Sequence, residues 1–152
     1  MTNSELKSKI VAAGMTKIKN VINDFEERIT ELKAVTLTDQ TAESASQTES
    51  RRDSDLEMLD NLYGQLEFAR QEERTLQLID PRSVKNFVDF GAVVLTDKRN
   101  LFVSTGIEEF EVDGIPYFGL STKAPLYKNM AGFTVGEKVS FHGIEYLIKE
   151  IF

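Results

Sequence analysis

Apolar residues recur along the first part of the chain at alternating intervals of three and four. Met15, Ile18, Ile22, Phe25, Ile29 and Leu32 make one such series, and Leu56, Leu59, Tyr63 and Leu66 make a second. Ala69 and Leu76 extend the second less regularly. That spacing is the a/d stripe of a coiled coil. Lys17, Lys19, Asn23, Asp24, Glu26, Glu27, Arg28 and Lys33 fill the intervals and suit a solvated face. A single helix of this kind leaves its seam in water. Folding back at the polar segment between the stripes buries both seams in one antiparallel pair. At about 1.5 Å per residue, an arm of roughly thirty residues is about 45 Å long, which implies a protruding rod.

Leu6, Ile10 and Val11 begin the stripe after a frayed start at residues 1–5. Gly14 weakens the first arm by about 1 kcal/mol relative to alanine. That arm should end near Lys33 or Val35. Residues 36–50 are rich in hydroxyl side chains, which compete with helix by bonding their own backbone. The tip of the hairpin is therefore expected at about residues 36–53. Ser54 and Glu57 match a capping box, so the second arm should start near Ser54 or several residues earlier, and end near Leu78. Pro81 sits in a linker, Ile79 to Ser83.

Beyond Ser83 the period becomes strand-like. Residues 92–96 and 101–104 flank a turn at Asp97 to Asn100. A turn at Asp113-Gly114 leads into residues 116–120, and His142-Gly143 separates 138–141 from 145–152. Pro125 opens a short helix with Leu126 and Met130 on its apolar face, and Gly132 ends it. The expected fold class is α+β: a coiled-coil helical hairpin at residues 1–80, then a small antiparallel β domain with one short helix at residues 84–152.

Composition narrows the classes. Net charge is −7, with sixteen acidic against ten basic residues in 1–80 and nine against eight in 81–152. An acidic rod is a poor ligand for phosphate backbones, so direct sequence-specific nucleic-acid binding is not expected. The chain has no cysteine, which excludes disulfide and thiolate chemistry. It has no apolar run of membrane-spanning length and no secretory core at its start, which fits the cytoplasm. A hairpin closed within one chain makes a monomer the expectation, with a structural coiled coil or a device joining two chains as the plainer alternatives.

The second half carries a resemblance. Phe90-Gly91-Ala92-Val93-Val94 is similar to the first strand of the C-terminal domain of GreA/GreB transcript-cleavage factors. Ala124-Pro125-Leu126, Met130-Ala131-Gly132 and Val135-Gly136-Glu137 resemble that family's Ser-Pro-Ile/Leu, Leu-x-Gly and x-Gly-Asp run. Tyr146-Leu147-Ile148-Lys149-Glu150-Ile151 resembles its closing strand. The elements keep the family's order and spacing over about the last sixty residues. The resemblance implies an FKBP-like C-terminal domain and RNA polymerase as partner. It also implies docking at the polymerase rim through the loop and helix holding Ser121, Lys123, Pro125 and Leu126, with the hairpin inserted into the secondary channel. In that family, acidic tip residues help hold a magnesium ion belonging to the polymerase, because two-metal hydrolysis needs carboxylates on a hard cation. The resemblance thus implies a factor with no metal or cofactor of its own, and an autonomous enzyme is the least expected reading.

The family's tip string, approximately Gly-Asp-Leu-Ser-Glu-Asn-Ala-Glu-Tyr, does not occur between Leu32 and Leu56. The acids there are Asp39, Glu43, Glu49, Asp53 and Asp55, with Arg51 and Arg52 beside the last two. Asp53 and Asp55 come closest to a carboxylate pair. The plainer account is a solvated acidic loop for Asp39, Glu43 and Glu49, and helix-start charge for Asp53 and Asp55. Lys123 and Ala124 also stand where relatives often carry an acidic or polar residue and a serine. Polymerase binding is thus expected without strong cleavage stimulation. The alternative is a structural or interaction protein that uses the hairpin for a different partner. His142 lacks a second histidine or cysteine, and Tyr117 and Phe118 are read as core.

Overall fold

The computed structural model describes the backbone of residues 1–38 and 45–152, and side chains of 1–36 and 50–152. The fold is α+β. Two long helices, α1 (Asn3–Thr38) and α2 (Ala45–Gln77), form the hairpin. Six strands follow: β1 (Val93–Thr96), β2 (Asn100–Ser104), β3 (Ile107–Val112), β4 (Ile115–Ser121), β5 (Lys138–Phe141) and β6 (Ile144–Ile151). The short helix α3 (Pro125–Met130) lies between β4 and β5. No helix among the described residues is long and apolar enough to cross a membrane.

The chain divides into two compact units. One joins Met1–Ile18 with Glu72–Phe152, and the other is Lys19–Gln71. In the second unit the two helices run antiparallel. Glu26 meets Arg70 at 3.0 Å, the Lys33 ammonium lies over the Tyr63 ring, and Thr36 meets Asp55. Partner numbers fall as α1 numbers rise. Ile22 and Ile29 are buried, with Phe25 and Leu32 half-buried between them. From α2 come Leu59, Leu66 and Ala69, with Leu62 half-buried in step. Leu56 and Tyr63, expected in the seam, are exposed. Leu62 and Tyr63 are adjacent apolar residues, and the buried or half-buried series 59, 62, 66, 69 carries the three-four alternation on to Ala69, which a route through Tyr63 does not.

Helix starts differ from expectation. The first residues are not frayed: Thr2 Oγ1 accepts from Glu5 N at 3.1 Å, and Glu5 Oε2 accepts from Thr2 N at 3.0 Å. That reciprocal pair is a capping box. Ser54, by contrast, lies inside α2 and caps nothing, because helix already begins at Ala45. The helices thus extend well into the expected 36–53 tip.

The sheet order is β3-β4-β2-β1-β6-β5. It is mostly antiparallel, as expected, but β2 and β4 run parallel. After β2 the chain crosses over β4 within Thr105-Gly106, builds β3 at the edge, then returns as β4. The crossing explains Gly119: a Cβ there would stand 2.5 Å from Thr105 O. β3 was not expected as a strand, because a register shift between Ile107 and Phe110 breaks the alternation and exposes Glu108 and Glu109 side by side. Asp113-Gly114 and His142-Gly143 both have φ positive at successive residues, the signature of the type I′ hairpin turn. His142 therefore serves as a turn residue.

Both faces of the sheet are covered. Val94, Leu101, Val103, Leu120, Met130, Val139, Tyr146 and Ile148 pack together on the α3 side. On the other face, Phe102, Ile107 and Phe110 receive the root of α1 at Gly14. Covering on both sides explains why Val93 and Val94, like Phe102 and Val103, are buried at successive positions.

Candidate functional site

The loop from Ser121 to α3 is built by short-range backbone chemistry. Ser121 closes β4 opposite Ser104. Its Oγ accepts from Lys123 N at 3.1 Å, and its carbonyl accepts from Ala124 N at 3.0 Å. Ala124 is the N-cap in extended conformation without a side-chain cap, and Pro125 follows at the first helical turn. Proline is suited there because its missing N–H has no helical acceptor to lose. Met130 is fully buried, and Gly132, at φ +82, donates its N–H to Val88 O at 2.8 Å. The helix is thus anchored by Met130 at one end and tied through Gly132 to the segment before β1.

These contacts sort the four expected docking residues. Lys123 and Pro125 are exposed, while Ser121 is half-buried and occupied by the turn. Leu126 is half-buried against the core cluster, together with Phe118 and Tyr127. The loop presents one cation and one rigid apolar ring to solvent, on a scaffold with little freedom. Beside it, the Arg99 guanidinium lies 4.9 Å from the Phe118 ring centroid.

The tip acids are less gathered. Asp39 and Glu43 lie outside the described residues, as does the side chain of Glu49, whose backbone belongs to α2. Asp53 is exposed. Asp55 Oδ2 accepts a hydrogen bond from Thr36 Oγ1 at 3.1 Å, and the same hydroxyl lies 2.8 Å from Leu32 O. Two residues apart on a continuous helix, Asp53 and Asp55 point about 200° from one another. They do not form a carboxylate pair. Among the described residues no cluster of three or more His, Cys, Asp or Glu side chains could hold a metal ion.

Sequence reading passed over Lys7. It is 1% exposed, and its ammonium donates to Ser83 O. Burial, then the positive charge of Lys85, pushes it down to about 8, while Asp80 pulls the other way. The signal was available: Lys7, Ile10 and Gly14 are spaced three and four apart, a second buried stripe beside the seam.

No family model matches the chain, and no curated protein matches it. Among solved structures it is similar to one described as the structure of the transcription factor Gfh1. The match has 15% identity over 91% of this chain and 93% of that chain, with a TM-score of 0.35.

Proposed function

We propose that the chain is a Gre-like regulator of transcription elongation that binds RNA polymerase. It docks through the Ser121 to Met130 loop and helix at the polymerase rim, and inserts the helical hairpin into the secondary channel. The observation that carries this reading is where the family-like residues fall. Ala124 and Pro125 open α3, Met130 anchors it, and Gly132 and Gly136 take the positive φ their turns need. Tyr146, Ile148 and Ile151 are buried along β6. Residues similar to a family's motif thus hold structural posts that this fold requires, in one domain that follows a helical hairpin. Within Lys19–Gln71, the α1 arm to Thr38 is about 30 Å long, enough to enter a channel.

With no family tip string, and with Asp53 and Asp55 on different sides of α2, the described residues of the tip offer no metal-holding carboxylate pair. The protein acts as a competitor for the channel. The test is binding of the full chain to its own RNA polymerase. Lys123→Glu alters an exposed charge without touching the core, and should weaken binding about tenfold, equivalent to ~1.4 kcal/mol. Pro125→Ala with Leu126→Asp should weaken it further, once the variant's fold is verified. Absence of polymerase binding by the folded wild type would overturn the reading. A second reading, an interaction protein with another partner, is favoured by Leu56 and Tyr63, exposed seven residues apart on one face of α2.

A further inference from the structure

A cavity of about 170 Å³ opens where the chain leaves α2, lined by Lys7, Ile79, Asp80, Ser83, Lys85 and Gly91 among others. We propose that this cavity binds a small tetrahedral oxyanion of the size of inorganic phosphate, held between the ammonium groups of Lys7 and Lys85. Its volume is below the ~300–1,000 Å³ of cofactor-sized sites, which limits the ligand to a small ion.

Charge decides the sign of that ion. Three charged side chains line the cavity: two lysines and one aspartate. The aspartate is engaged elsewhere: Asp80 Oδ1 accepts from Arg82 N at 2.9 Å and from Arg82 Nε at 3.2 Å. The Lys7 ammonium has three N–H groups, and its hydrogen-bond partner among the described residues is one neutral carbonyl, Ser83 O. No carboxylate among the described residues forms an ion pair with it, although buried charges are ordinarily paired. Lys85 reaches Asp89 only at 3.5 Å, the outer limit of a hydrogen bond, and keeps donors for a second acceptor. Two cations face one cavity, one of them buried and short of acceptors. An oxyanion there supplies acceptors to Lys7 and relieves its repulsion from Lys85. The downward push on Lys7 from burial and from Lys85 is the electrostatic counterpart of the same geometry.

The test titrates inorganic phosphate into the full chain in a chloride buffer free of other oxyanions, with sodium chloride matched for ionic strength. Phosphorus NMR line broadening and thermal midpoint are followed together. Both should saturate with phosphate and not respond to added chloride. Lys85→Met and Lys7→Met should each weaken binding at least about tenfold, while Lys149→Met, an exposed lysine on β6, leaves it unchanged. Lys85→Met decides the matter if Lys7→Met does not fold, since Lys85 is only partly buried. A non-saturating response, or equal saturation in wild type and Lys85→Met, would overturn the proposal.

Discussion

Gly14 on α1 lies so close to Ile107 on β3 that a Cβ at residue 14 would stand 3.3 Å from Ile107 Cδ1. Phe102 and Phe110 would be 3.6 and 3.7 Å away. The glycine that weakens a helix by propensity is therefore the point at which helix backbone seats on the sheet. Two effects oppose one another in Gly14→Ala: about 1 kcal/mol of helix propensity gained, against a contact that the flexible tip of Ile107 can yield to. The variant should stay within about 1 kcal/mol of wild type. Gly14→Leu has no such escape and should cost roughly 1–3 kcal/mol by overpacking. Denaturant midpoints measure both, and a neutral leucine variant would show that this contact is not tight.

The same contact bears on fragments. Met1–Ile18 belongs to one compact unit with Glu72–Phe152. A chain starting at Ser83 loses the α1 root and leaves Phe102, fully buried in the intact protein, with Ile107 and Phe110 on an open sheet face. It should bind a hydrophobic dye and unfold with reduced cooperativity. A chain in which only part of Lys19–Gln71 is replaced by a short loop should keep cooperative unfolding. Cooperative, dye-free behaviour of the fragment from Ser83 would refute this expectation.

The hairpin was legible because its period is carried by large apolar residues: Ile18, Ile22 and Ile29 stand in the sequence as they stand in the seam. The choice between Leu62 and Tyr63 was not legible, because both are apolar and only the facing helix decides. Ser54 carries the capping-box pattern where hydroxyl residues suggest a break, yet the box that forms is Thr2 with Glu5, at a terminus where fraying is the default. Hydroxyl-rich sequence disfavours helix only weakly, and α1 to Thr38 and α2 from Ala45 both run into it. The two I′ turns were legible from Asp113-Gly114 and His142-Gly143. The parallel β2–β4 pair was not, since strand order is long-range information, and its one local trace is Gly119. At the candidate site, Pro125 and Met130 were readable from helix rules, but the half-burial of Leu126 depends on a core cluster gathered from strands across the domain.

Gly119 and Gly64 should respond oppositely to alanine. At Gly119 a Cβ would meet Thr105 O at 2.5 Å and Ile107 Cβ at 2.6 Å, so backbone must move. Gly119→Ala should cost roughly 2–4 kcal/mol and disturb the β3 edge. Gly64 lies within α2, and a methyl group placed on it would meet nothing within 4 Å, so Gly64→Ala should gain up to about 1 kcal/mol. Equal effects at the two positions would contradict the crossing drawn between β2 and β3.

Lys7 should make stability depend on pH in an unusual direction. Its folded-state pKa, about 8, lies below the ordinary 10.5. Between those values the unfolded chain binds more protons than the folded one, so stability rises with pH across the window. Below pH 8 both states are protonated and the cost of burying the charge is constant. Lys85 and Asp80 are the charged groups that act on it, with opposite signs. The Tyr117 phenol, pushed up by burial, contributes oppositely above about pH 10, because the folded chain then retains the proton longer. Between pH 8 and 10, in phosphate-free buffer, the urea midpoint of wild type should rise relative to that of Lys7→Met. Parallel curves for the two proteins would mean that Lys7 titrates normally.

The tip distinguishes a channel competitor from a cleavage factor. A carboxylate that holds catalytic magnesium contributes on the scale of a lost transition-state contact, roughly 2–4 kcal/mol, or some hundredfold in rate. Here Asp55 is held by Thr36 at 3.1 Å, and Asp53 faces a different side of α2. On backtracked elongation complexes, wild type should therefore bind polymerase and stimulate transcript cleavage weakly or not at all. It should also reduce the rate produced by a cleavage-active Gre factor added with it. Alanine replacement of Asp39, Glu43, Glu49, Asp53 and Asp55, singly and together, should leave that competition within about threefold, because occupancy of a channel rests on shape and docking rather than on one metal contact. Thr36→Val, which removes the hydroxyl that holds Asp55, should likewise leave competition intact. Strong cleavage by wild type, abolished by Asp53→Ala or Asp55→Ala, would show that the tip supplies a magnesium ligand after all. Polymerase binding without competition for the channel would place the hairpin elsewhere on the polymerase.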